Sequence, residues 1–131
     1  MKYLLDSGIW LWSIDSVDRI GKRGLDILRN GQQEIYFSAA SVWELTIKAR
    51  LGKLTLPAPP ADCIPQFTGK QGLRPLPVSQ VHAVKVYDLP AHHRDPFDRL
   101  IIAQAIVEDL TILTSDRAFA KYPVEVVWCG K

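Results

Sequence analysis

Apolar positions along the chain alternate between short runs and longer stretches with helical spacing. Tyr3-Leu4-Leu5 is a brief apolar run closed by Asp6-Ser7-Gly8, the pattern of a buried strand followed by a turn. From about Val17 to Arg29, Val17, Ile20, Gly24, Leu25 and Leu28 recur near helical spacing, and Asn30-Gly31 supplies a stop. Ile35-Tyr36-Phe37 predicts a second strand, followed by the small residues Ser38-Ala39-Ala40. A helix is then expected from about Ser41, carrying Val42, Leu45, Ile47 and Leu51 as far as Gly52.

Six of the nine prolines lie between Pro57 and Pro77. That segment reads as irregular, with at most a short helix around 61–68 and a third strand near Leu76-Pro77-Val78. Ser79 can cap a short helix from Gln80 to Tyr87. The best helical pattern runs from Phe97 to Asp109, after the start signal Asp95-Pro96. Thr111-Ile112-Leu113-Thr114 predicts a strand, Ser115-Asp116 opens a short helix through Lys121, and Val124 to Trp128 is the last strand. Short β-branched and apolar strands separated by helices predict an α/β domain whose mainly parallel sheet is covered on both faces. Ligands in such sheets bind beyond the carboxyl ends of the strands, near a topological switch point.

A chain of 131 residues, 47% hydrophobic and 23% charged, suits one domain over 1–131 with a single core and lies far from the disordered regime. The net charge of +2 is compatible with a nucleic-acid substrate and does not argue for one. Two cysteines, Cys63 and Cys129, are too few for a disulfide scaffold or a cysteine-based zinc site. The start of the chain lacks the apolar core of a signal peptide, and no stretch approaches the roughly 18 apolar residues of a membrane span. A soluble cytoplasmic protein without membrane contact is expected. Nucleophile-elbow, P-loop and dinucleotide motifs are absent from the sequence.

Three acids follow predicted strands, Asp6, Glu44 and Asp116, and a fourth, Asp98, lies in the first turn of the best helix. Each has a structural explanation. Asp6 or Ser7 can be an N-cap, Ser41-Val42-Trp43-Glu44 fits a capping box, Asp95 caps and Asp98 suits the helix dipole, and Ser115-Asp116 can cap a short helix. As a set they mean more. A parallel sheet gathers helix starts at one edge, and carboxylates collected there repel one another unless a cation compensates them. Mg²⁺ or Mn²⁺, hard ions that prefer carboxylate oxygen, are the natural compensators, and such an ion beside a phosphodiester can activate water. The histidines suit other chemistry poorly. His92 and His93 are adjacent and read as a solvated loop pair, and His82 as a surface or packing residue.

These segments carry a family resemblance. Tyr3-Leu4-Leu5-Asp6-Ser7 resembles the opening strand and first acid of PIN domains. Ser38-Ala39-Ala40-Ser41-Val42-Trp43-Glu44-Leu45 with Lys48 resembles their second-acid segment. The stretch from His93-Arg94-Asp95-Pro96-Phe97-Asp98-Arg99 to Ala105 is similar to a VapC-like branch, and Leu113-Thr114-Ser115-Asp116 with Phe119 matches the last acidic segment. The resemblance implies a three-layer α/β/α sandwich and an RNA-cleaving, Mg²⁺- or Mn²⁺-dependent toxin, restrained by a cognate antitoxin and dimerising with itself. It assigns Asp6, Glu44, Asp98 and Asp116 to the catalytic pocket. Asp6, Asp98 and Asp116 are the metal ligands, while Glu44 and Asp116 act directly or through bound water. Asp95 and Ser115 stand behind them. Ser7 departs from the threonine common after the first acid but keeps its hydroxyl, and Gly8 replaces a bulkier residue.

Ser7, Lys48, Arg94, Arg99 and Arg117 flank the acids and are candidates to contact the RNA backbone. Trp10, Trp12 and Trp43 can stack bases or bind the antitoxin. Trp10 and Trp12 cannot share one helix face, so one is assigned to the core and one to a partner surface. The rival readings are a PIN fold kept as a catalytically silent binding module, a haloacid-dehalogenase-type phosphatase and a receiver domain. The phosphatase needs Asp-x-Asp where this chain has Asp6-Ser7-Gly8. The receiver needs neighbouring acids and a later lysine at strand ends, which are not found.

Overall fold

The computed structural model describes residues 1–92 and 94–131; His93, half of the adjacent histidine pair, lies outside the described residues. Five parallel strands form one sheet in the order β3-β2-β1-β4-β5. They are β1 (Lys2–Leu5), β2 (Glu34–Ser38), β3 (Arg74–Leu76), β4 (Thr111–Thr114) and β5 (Val126–Trp128). The helices are α1 (Ser7–Asp15), α2 (Lys22–Arg29), α3 (Ala39–Arg50), α4 (Pro60–Lys70), α5 (Gln80–Lys85) and α6 (Pro96–Glu108).

Strand side chains alternate between two cores. Tyr3, Leu5, Ile35, Phe37, Leu113 and Val127 face one side, where they meet Ile9 and Trp10 of α1 and Cys63 and Ile64 of α4. Leu4, Leu76 and Ile112 face the other, against Ile101, Ile102 and Ala105 of α6 with Phe119 and Tyr122. Because both faces are covered, β4 is buried along its whole length. The expected α/β/α sandwich is therefore what the chain builds. Pro75 sits in β3, an edge strand, where a missing N–H costs the ladder least.

Three stretches differ most from the sequence-based expectation, and β3 lies two residues ahead of the strand expected near Leu76-Pro77-Val78. The turn expected after Leu5 is the start of α1, whose Ile9, Trp10, Leu11 and Trp12 carry little amphipathic signal. The single helix expected from Val17 to Arg29 is a 3-10 turn, Val17–Arg19, then a break, then α2. Gly21 makes that break: its N–H donates to the Cys129 carbonyl at 2.8 Å, and a Cβ there would lie 2.6 Å from the Gly130 oxygen. The proline-rich segment forms a fuller helix than expected. Pro60 takes the first position of α4, where its fixed φ suits a helix, and burial of Cys63 and Ile64 offsets the interior Pro65.

Candidate active site

The chain leaves β1 toward β2 on one side and leaves β4 toward β5 on the other, so the switch point lies between the carboxyl ends of β1 and β4. Asp6 and Asp116 follow those two ends. The Asp6 N–H donates to the Leu113 carbonyl at 3.0 Å, which fixes the residue to its neighbouring strand. Thr114, the fully buried last residue of β4, donates its hydroxyl to Asp6 Oδ2 at 2.8 Å and accepts the Asp116 N–H at 3.0 Å. One hydroxyl thus ties two acids that are remote in sequence. The Asp116 carboxylate also caps the 3-10 turn Arg117–Lys121 through the Ala118 N–H.

Glu44 arrives on α3. That helix begins at Ala39, ahead of the expected Ser41 start, because Ser38 caps it by accepting the Ala40 N–H at 3.0 Å. Glu44 is therefore released from the capping-box role. Its side chain is buried, accepts the Ser7 hydroxyl on Oε1 at 2.9 Å and pairs Oε2 with Lys48 Nζ at 3.0 Å. The hydrogen bond to Glu44, with the charges of Glu44, Asp95 and Asp98, holds the Lys48 ammonium above its ordinary pKa.

Asp98 arrives on α6. Asp95 caps that helix, accepting the N–H of Phe97 at 2.8 Å and of Asp98 at 3.4 Å, and Pro96 takes the first position. Cap and candidate ligand are thus separate carboxylates. Gln104, buried in the same helix, accepts the Ser38 hydroxyl at 2.5 Å and donates to the Pro77 carbonyl at 3.3 Å. It locks α6 to the start of α3.

The four acids feel one another. Burial pushes the Asp98 carboxyl up to about 8, with further upward contributions from Asp95, Asp6, Glu44 and Asp116. Burial likewise raises Asp6 to about 6, opposed by the Thr114 hydrogen bond and reinforced by the charges of Glu44 and Asp116. The raised values of Asp6 and Asp98 mark a place short of positive charge, and an all-oxygen acidic set suits a hard divalent cation. Among the described residues, no three His, Cys, Asp or Glu side chains stand in a ready-made ligand geometry.

The other candidates separate. Arg94 is exposed just before the Asp95 cap, and Ser115 lies in the turn between Thr114 and Asp116. Arg117 stacks its guanidinium over Trp128 at 4.1 Å. Arg99 reaches the carbonyls of Pro90, Val86 and Leu89, so it braces the loop before α6. His82 is a packing residue, buried, with Nε2 2.6 Å from Glu108. Trp10 is in the core against Phe37, and half-buried Trp12 carries Arg19 over its ring. A cleft of about 600 Å³, lined by Lys2, Glu108, Asp109 and Glu125 among others, opens at the opposite edge of the sheet from the acids. Thr114 and Ser38 carry no functional signal in the sequence beyond a hydroxyl at the last position of a strand.

Four separated segments bring electrostatically coupled acids toward the strand-switch point, and known proteins of similar sequence and structure share the fold. The PIN domain family matches residues 3–125, and the chain belongs to that family. Over 56 residues it is 41% identical to Ribonuclease VapC16 of Mycobacterium tuberculosis, a match covering 43% of this chain and 40% of that protein. Among solved structures, VapBC2 from Rickettsia felis bound to a promoter DNA fragment matches with a TM-score of 0.73 at 19% identity, covering 97% of this chain and 98% of that one. VapBC-5 from Mycobacterium tuberculosis, of the VapBC family of toxin–antitoxin systems, matches with a TM-score of 0.61 at 18% identity, covering 97% and 98%. At those identities the likeness is one of fold. Among the described residues no helix is long and apolar enough to cross a membrane.

Proposed function

We propose that this chain is a metal-dependent endoribonuclease, the toxin of a cytoplasmic toxin–antitoxin pair, acting at the pocket of Asp6, Glu44, Asp98 and Asp116. The observation that carries the reading is the electrostatic convergence of those acids at the strand-switch crevice, with Asp6 raised to about 6 and Asp98 to about 8. RNA as substrate is supported by the likeness to Ribonuclease VapC16. An antitoxin partner is supported by the likeness to VapBC toxin–antitoxin assemblies, and self-association is part of the same proposal.

Asp6, Asp98 and Asp116 would hold Mg²⁺ or Mn²⁺, with Glu44 beside them, directly or through water. When bound, the ion supplies polarisation of a phosphoryl oxygen and a lowered pKa for the attacking water. The chain's own groups supply the orientation. Thr114 fixes Asp6 through Oδ2. Ser7 and Lys48 hold the two oxygens of Glu44, and Lys48 offsets part of the pocket's negative charge. Asp95 satisfies the start of α6, so Asp98 is left to face the pocket. Arg94, Arg117 and Lys48 add positive charge for the RNA backbone, while Arg99 and Ser115 support the segments that carry Asp98 and Asp116.

The test is cleavage of mixed RNAs by the purified, antitoxin-free protein with Mn²⁺ or Mg²⁺, against excess EDTA and beside Asp6→Asn. Cleavage that requires both the metal and Asp6 is expected. A folded, metal-supplied protein that leaves every RNA intact would overturn the reading.

A further inference from the structure

We propose that Trp43 is a substrate-stacking residue, offering an open face of its indole to an unpaired base of the RNA beside the acidic pocket; the proposal rests on the nuclease reading above. Trp43 immediately precedes Glu44 on α3, and its ring packs against Phe97, which immediately precedes Asp98 on α6. The aromatic pair therefore bridges the two helices that deliver these acids, one residue before each. The indole is nevertheless 60% exposed, whereas Trp10 is fully buried and Trp128 lies under the Arg117 guanidinium.

The ring pair has a defined geometry. The two rings meet at 5.2 Å between centroids with planes 79° apart. An edge-to-face contact covers at most one face of either ring. The indole, 60% exposed, thus keeps at least one face available for a further contact. Covering Phe97 alone needs only an aliphatic side chain.

The chemistry of the pocket gives such a face a use. Four carboxylates repel a polyanion, so affinity must come from cations or from contacts without charge. Stacking on an aromatic plane is such a contact, and every unpaired base has a face to offer. Tyr87 is more exposed than Trp43, but it lies in the short turn after α5 and flanks no acid of the pocket.

The experiment uses the Asp98→Asn chain with Mg²⁺, so that RNA survives, and an eight-residue single-stranded oligoadenylate as probe. Tryptophan emission and fluorescence anisotropy are followed with Trp43 intact, as Trp43→Phe and as Trp43→Leu. Binding is expected to quench emission in the chain with Trp43 intact. Trp43→Phe should lose most of that quenching while weakening Kd by no more than about threefold, and Trp43→Leu should weaken Kd about tenfold or more. If Trp43→Leu fails to fold, the loss of quenching in Trp43→Phe decides the matter. Undiminished quenching and Kd in both variants would overturn the stacking role and leave the nuclease reading standing. A Trp43→Leu chain that changes only in oligomeric state would overturn it too, by making this face a protein contact. Absence of RNA binding in this chain, together with absence of Mn²⁺-dependent cleavage by the unaltered protein, would overturn both.

Discussion

Asp6→Asn should make the metal-free protein more stable while disabling it. Asp6 is raised from 3.8 to about 6, chiefly by burial, so the folded chain resists ionising this group. A displacement of that size corresponds to about 3 kcal/mol of destabilisation once the carboxyl is charged. Asparagine keeps an acceptor for the Thr114 hydroxyl and brings no charge near Glu44 and Asp116. The gain at pH 7.5 in EDTA is expected on the order of 1–3 kcal/mol, or roughly 5–10 °C in Tm. Its pH dependence follows from the raised folded pKa. Between about pH 4 and 6 the folded chain holds more proton at Asp6 than the unfolded chain, so the parent loses stability as pH rises through that interval. The advantage of Asp6→Asn must therefore shrink on acidification and be nearly gone by about pH 4. Thermal melts of both chains in EDTA across pH 4–8 measure this. A variant less stable than the parent at pH 7.5, or a gain that does not change with pH, would refute the idea that burial and mutual repulsion strain the pocket.

Other consequences are equally open to measurement. Asp98→Asn should abolish metal-dependent RNA cleavage and leave the circular dichroism spectrum unchanged and the melt cooperative, because Asp95 and Pro96 still start α6; loss of the fold would contradict the separation of cap and ligand. Removing that cap by Asp95→Ala should cost about 1 kcal/mol in denaturant melts, and an unchanged midpoint would deny it the capping role. Thr114→Val keeps the strand and removes the hydroxyl linking Asp6 to Asp116, so cleavage should fall at least tenfold with the sheet intact; full activity would show that Asp6 needs no such anchor. Mn²⁺ binding measured by calorimetry should release protons and tighten from pH 6 to pH 8, because Asp6 and Asp98 must ionise to bind; an affinity flat over that range would argue against these ligands.

The fold was largely legible because its central strands are short apolar runs bounded by polar turns. Thr111–Thr114 appears in the structure with the bounds its sequence predicts. Legibility failed where local pattern and tertiary burial disagree. The run Ile9 to Trp12 carries no clean amphipathic stripe because α1 is apolar on more than one side. The prolines of α4 mask a helix whose stability comes from buried Cys63 and Ile64. The break at Gly21 depends on a contact with Cys129, at the far end of the chain. The acids were visible as positions after strands and at a helix start. The supporting hydroxyl of Thr114 was not, because a threonine at a strand end looks the same whether it faces water or, like this one, links the carboxylate of one acid to the backbone N–H of another. Likewise, nothing in the spacing of Arg99 told that its guanidinium would brace backbone carbonyls.

The bond between Thr114 and Asp6 joins residues 108 positions apart, and β1 lies between β2 and β4 in the sheet. A chain emerging from the ribosome therefore presents Asp6 and Glu44 long before α6 and β4 exist to complete the pocket. Contacts of such long sequence separation form late. A truncated or stalled translation product would carry half of the acids and none of their assembly. On the proposed nuclease reading, catalytic competence arrives only once the chain has been made through Asp116.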